Sequence, residues 1–150
     1  MRKIFLSLLV LVTLSSIAQD LPKNYASLLK EVEPELIAWR RHFHEFPELS
    51  NREVNTGKYI ADFLKTLPNL EVRYPVAKTG VVAVLKGGKP GAVIALRADI
   101  DALPVYERVA IPFASKVTTE FNGQKVNVMH ACGHDSHTAM LMATAKMLSA

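Results

Sequence analysis

One cysteine, Cys132, stands in 150 residues. Without a second thiol the chain has no internal disulfide framework and no resolving partner for a dithiol redox cycle. No cysteine stands directly after the apolar N-terminal run, which also excludes a lipid anchor on a processed N-terminus. The run itself, residues 4–14, is too short to span a bilayer comfortably as a permanent helix. Basic clusters interleaved with aromatics are missing, so nucleic acid is a poor candidate partner. Internal repeats and low-complexity tracts are missing too, and the length leaves room for one ordinary domain.

Arg2 and Lys3 precede the apolar run, and Ser16-Ile17-Ala18 places small residues where a signal peptidase cuts. Residues 1–18 therefore read as a removable export signal, with an uncleaved anchor as the alternative. Export puts the protein in the periplasm or outside the cell, with no stable membrane span after cleavage. Loss of Arg2 and Lys3 takes the formal charge from +4 to +2, close to balance.

The body of the chain begins with helical periodicity. Leu28, Leu29, Val32, Leu36, Ile37, Trp39 and Phe43 recur at three- and four-residue steps across residues 21–46. Pro34 either divides this helix or opens the first turn of a second one, and Pro47 ends it. A further helix is expected over residues 51–67, with Tyr59, Ile60, Phe63, Leu64 and Leu67 on its buried stripe. The period then shortens. Residues 70–74, 80–85 and 92–96 are valine- and leucine-rich runs bounded by Pro75, Gly87-Gly88 and Lys89-Pro90-Gly91, which predicts three strands with a hairpin at 87–91. Residues 106–125 read as loop with a turn at Asn122-Gly123, and 126–129 as a short strand. A last helix is expected over 138–150, capped by Asp135 or Ser136 and apolar on nearly every side.

Chemistry concentrates in Met129-His130-Ala131-Cys132-Gly133-His134-Asp135-Ser136-His137. Cys132 and His134 are two apart, so in an extended backbone both side chains reach the same side, and Gly133 lets the chain bend between them. A thiolate with an imidazole suits zinc and similar borderline ions. Asp99 and Asp101 share a face at the expected exit of the third strand. If that exit lies beside 126–129, they offer a further ligand or an acceptor that fixes an imidazole tautomer; solvated turn aspartates are the plainer alternative. His130 and His137 are weaker candidates. Cys132 as a nucleophile with His134 as its base is less favoured, because so near a histidine lines up poorly with the sulfur. His42 and His44 are explained by cations favouring a helix C-terminus and are given no metal role.

Three segments carry a resemblance: Met129–Asp135 with the histidine that follows, Leu96-Arg97-Ala98-Asp99-Ile100-Asp101-Ala102-Leu103-Pro104, and Trp39-Arg40-Arg41-His42-Phe43-His44 with Pro47-Glu48-Leu49-Ser50. Together they resemble the M20 metallopeptidases, in the branch of amidohydrolases acting on N-acyl amino acids, hippurate and auxin conjugates. The resemblance implies an α/β catalytic domain with a mixed sheet between helices, and an inserted smaller domain that often mediates dimerisation. It implies a site for two divalent metal ions, commonly zinc or manganese, with Cys132 and His134 among the ligands. Asp101 becomes the catalytic-site residue that orients a ligand. Asp99 stands where other branches carry a ligand histidine, and Ser136 where this branch usually has glycine.

Residue 150 ends an apolar helix with no glycine or proline stop. The expectation is that residues 19–150 are the N-terminal part of a longer catalytic domain and inactive alone. The whole enzyme would take a small N-acyl amino acid or peptide as substrate. A non-catalytic exported metal- or peptide-binding module is the alternative.

Overall fold

The computed structural model describes residues 24–150, so the expected export signal lies outside the described residues. The elements run α1 (Tyr25–Glu45), α2 (Val54–Leu64), β1 (Leu70–Val76), β2 (Gly80–Leu85), β3 (Thr118–Phe121), β4 (Gln124–Asn127) and α3 (His134–Ser149). Among the described residues no helix is long and apolar enough to cross a membrane.

α1 is one continuous helix with Pro34 inside it. The missing N–H of Pro34 costs one rung, but its ring lies on the exposed side and the helix carries on. Val32, Trp39 and Phe43 form its buried stripe, whereas Leu29 and Ile37 are exposed. α2 is shorter than its periodicity suggests, and an anion holds its start. The Glu48 carboxylate accepts the backbone N–H of Thr56 at 2.7 Å and of Asn55 at 3.2 Å, and the Thr56 hydroxyl at 2.9 Å. That places negative charge where the free N–H groups of a helix converge.

The core gathers Val32, Trp39 and Phe43 of α1, Ile60 and Leu64 of α2, and Ala139, Met142 and Ala143 of α3. Small residues on α3 let it approach α1 closely. Each large apolar side chain buried here contributes about 1.5–3 kcal/mol.

β1 and β2 pair antiparallel from Leu70 opposite Leu85 to Val76 opposite Gly80, and α2 lies against them. Gly57 of α2 makes that approach possible, since a Cβ there would stand 2.3 Å from the carbonyl oxygen of Thr79. β3 and β4 form a second antiparallel pair around the Asn122-Gly123 turn, both of whose residues have positive φ.

The α/β class holds, but three expectations about the strands need correction. Residues 92–96 form no strand and pair with nothing described; Val93 and Ile94 are 99% and 81% exposed. The hairpin expected at 87–91 is therefore absent; the tight connection between paired strands here is at residues 77–79, joining β1 to β2. Part of the stretch read as loop forms β3 and β4, whose polar residues lack the apolar alternation that marks a strand. Two isolated bridges supply the remaining mixed pairing: Leu49 with Ala102, parallel, and Leu103 with Met129, antiparallel.

Candidate metal centre

The antiparallel bridge builds the site. Leu103 and Met129 exchange backbone hydrogen bonds of 3.0 Å in each direction, which brings the segment after Asp101 beside the one leading to Cys132. The Ala102 N–H donates to the Glu48 carbonyl at 2.7 Å, tying the same segment to the turn after α1. From the other side the Thr138 hydroxyl donates to the Asp99 carbonyl at 3.0 Å.

Gly133 precedes α3 with φ +90, in the left-handed region. A Cβ there would meet nothing within 4 Å, so the demand for glycine is conformational rather than spatial. α3 therefore begins at His134, four residues earlier than its apolar pattern suggests, and no side chain caps it. Asp135 does not cap as expected: its Oδ1 accepts the adjacent Ser136 N–H at 2.8 Å.

Of the residues singled out in the sequence, Asp101 and His134 are in contact. Nδ1 of His134 lies 3.0 Å from Oδ1 of Asp101 and 3.0 Å from its carbonyl oxygen. Both acceptors are oxygens, so Nδ1 carries the proton of this contact. The two side chains are about one-fifth exposed. Cys132 is exposed as a free thiol. His137 is exposed, its ring 6.2 Å from that of His134. Asp99 turns its carboxylate to Arg97.

His130 is buried, and neither ring nitrogen has a partner among the described residues. Burial holds its pKa down at about 4, against the pull of Asp135 and Asp101 and with the repulsion of His44 and His134. It is a neutral ring between two histidine–carboxylate pairs.

The second pair was not anticipated. His44 is 4% exposed and does not serve as a solvated cation at the end of α1. Its Nδ1 lies 2.8 Å from Oδ2 of Asp135 and its Nε2 2.7 Å from Oε2 of Glu107. Arg40, one turn earlier, reaches the same Asp135 oxygen at 3.1 Å. Burial works to raise the Glu107 carboxyl, but hydrogen bonds from the Val109 N–H and from His44 outweigh it and leave the group below the ordinary carboxylate value. The sequence signal for this cluster was slight: Arg40 and His44 are four apart on one face of α1.

Cys132 and His134 fit a borderline divalent ion by donor type, an accessible sulfur and an imidazole whose far nitrogen is fixed by a carboxylate. Among the described residues no three His, Cys, Asp or Glu side chains converge as one metal-holding group. These two donors are a partial set.

Residues 95–150 match the family described as Peptidase family M20/M25/M40. An N-acyl-L-amino acid amidohydrolase of Geobacillus stearothermophilus is 48% identical over 122 residues, covering 81% of this chain and 30% of that protein. Thermostable carboxypeptidase 1 of Saccharolobus solfataricus is 45% identical over 130 residues, covering 86% and 31%. Among solved structures, the YXEP protein of Bacillus subtilis, described as a dinuclear metal binding peptidase from the M20 family, superposes with a TM-score of 0.69 at 48% identity, covering 80% and 31%. The chain thus spans under a third of the length of these relatives. It belongs to the M20 family of peptidases and amidohydrolases.

Proposed function

We propose that the protein carrying this chain is a metal-dependent amidohydrolase that cleaves the amide bond of N-acyl amino acids or related small amides. Cys132 and His134 serve as two of the ligands in a site for two divalent ions, zinc or manganese. The observation that supports this most is the His134–Asp101 contact, because it commits one ring nitrogen and leaves the other for a ligand, two residues along the chain from an exposed thiol. The names of the relatives, an acyl-amino-acid amidohydrolase and a carboxypeptidase, favour a small amide substrate.

A divalent ion bound there supplies a Lewis acid for the amide carbonyl and lowers the pKa of a bound water. The residues of this chain do the rest of what can be assigned to them. Asp101 holds the His134 ring in one tautomer and orientation. Gly133 turns the backbone so that α3 starts at the ligand. The N-terminal pattern of residues 1–18 favours export of the protein.

The test uses the full-length gene product: metal content by elemental analysis, with hydrolysis rates on a panel of N-acyl amino acids. Bound divalent metal, with turnover abolished by a chelator and restored by zinc or manganese, is the expected result. Turnover unaffected by chelation would point instead to Cys132 as a nucleophile.

A further inference from the structure

We propose that His44 is a positioning residue for the metal pair: held between Glu107 and Asp135, it fixes the first turn of α3 and so sets where His134 stands. The inference rests on the proposed metal site and extends it to a residue 91 positions before Asp135.

Three observations carry it. First, α3 has no side-chain N-cap and follows a left-handed glycine, so its start is held by contacts of the residues just inside it. Second, both oxygens of Asp135, the residue next to His134, are engaged: Oδ2 with His44 at 2.8 Å and Arg40 at 3.1 Å, Oδ1 with the Ser136 N–H at 2.8 Å. Its side chain is 1% exposed, so it is held by these partners rather than by water. Third, His44 is itself clamped from behind by Glu107 at 2.7 Å, and the other Glu107 oxygen accepts the Val109 N–H at 3.1 Å. α1 carries Arg40 and His44 and is anchored in the core by Val32, Trp39 and Phe43. The position of the core is thereby passed to His134 through directed bonds.

Packing alone would not select such a cluster. Each ring nitrogen of His44 faces a carboxylate oxygen, and Arg40 adds its guanidinium on the Asp135 side. Buried ionic groups of this kind are commonly matched in stability by apolar residues of similar volume. What apolar residues do not supply is direction. His134 is thus held twice, its ring by Asp101 and its backbone by Asp135.

The experiment measures Zn2+ affinity of the full-length gene product by competition with a chromophoric chelator. Partners that orient ligands commonly change metal affinity 10–100-fold, and a group one step further out should sit at the low end, about tenfold weaker for His44→Ala. Glu107→Gln keeps shape and one hydrogen bond, decides the matter where His44→Ala does not fold, and should weaken Zn2+ by a smaller factor. Leu64→Ala, in the core on α2, serves as the comparator: it should lower the melting temperature and leave Zn2+ affinity alone. Wild-type affinity in Glu107→Gln and in any folded His44→Ala, or an equal loss in Leu64→Ala, would overturn the positioning role. If Cys132→Ala and His134→Ala also bind Zn2+ like the wild type, the metal assignment falls and the inference with it. Loss in those two with none in the His44 and Glu107 variants removes the inference alone.

Discussion

Two histidine–carboxylate pairs meet at the start of α3, through the neighbouring residues His134 and Asp135, and they are built differently. In the buried pair, His44 spends both ring nitrogens on carboxylates and Asp135 spends both oxygens, with almost no solvent. In the outer pair, His134 spends one nitrogen on Asp101 and keeps the other. A group whose hydrogen bonds are all made inside the protein can hold but cannot bind. A group with one end fixed and one end free is suited to a ligand. On the proposed function, the same residue types thus divide into a holding pair and a ligand-bearing pair.

That division predicts opposite phenotypes. His134→Ala should cost the proposed activity about a thousandfold, or about 4 kcal/mol of transition-state stabilisation, with metal lost in parallel. Its thermal stability with chelator present should barely change, because the outer pair is part exposed and worth at most about 1 kcal/mol. kcat/KM and chelator-treated melting curves on the same preparations check both halves. His44→Ala should do the reverse in stability. Removing one partner of a buried charged cluster costs about 3–5 kcal/mol, readable as a lower urea midpoint.

His130, between the pairs, makes the contrast visible in pH. Its folded pKa is lowered from 6.5 to about 4, so the folded state binds fewer protons than the unfolded state in that window. The stability it contributes is present above 6.5 and is lost as pH falls towards 4, by about 3 kcal/mol in all. Glu107, also depressed, extends the loss below its ordinary value of 4.5. Urea melts from pH 7 to pH 4 with chelator present should show the decline, and His130→Gln should flatten it. The smallest effect belongs to Gly133→Ala. An alanine forced to φ +90 should cost about 1–2 kcal/mol, with weaker Zn2+ binding as the start of α3 shifts.

The parts legible in the sequence were those written locally. Helical spacing gave α1 and, in α2, the buried Ile60 and Leu64, whereas Tyr59 of the expected stripe is exposed and Leu67 lies past the helix end; valine-rich runs gave β1 and β2. Of Cys132, His134 and Asp101, the ligand-type residues that the sequence singles out, the structure brings His134 and Asp101 into contact. His44 was misjudged because its environment is set by Glu107, 63 residues on, and by Asp135, further still. Periodicity says that a helix face is buried, not what meets it. Residues 92–96 failed for a related reason: their composition favours an extended backbone, but a strand exists only where another strand accepts its hydrogen bonds. β3 and the start of β4 escaped because Thr119, Glu120, Gln124 and Lys125 lack the apolar alternation of a half-buried sheet; the strand expected over 126–129 is met by β4 only at Val126 and Asn127, and only Asn122-Gly123 betrayed the turn.

The most direct test is X-ray absorption at the zinc edge of the full-length gene product, wild type against Cys132→Ala. One sulfur at about 2.3 Å in the wild type, replaced by a nitrogen and oxygen shell in the variant, is what ligation by Cys132 requires. A wild-type shell of nitrogen and oxygen alone, unchanged by the substitution, would contradict it.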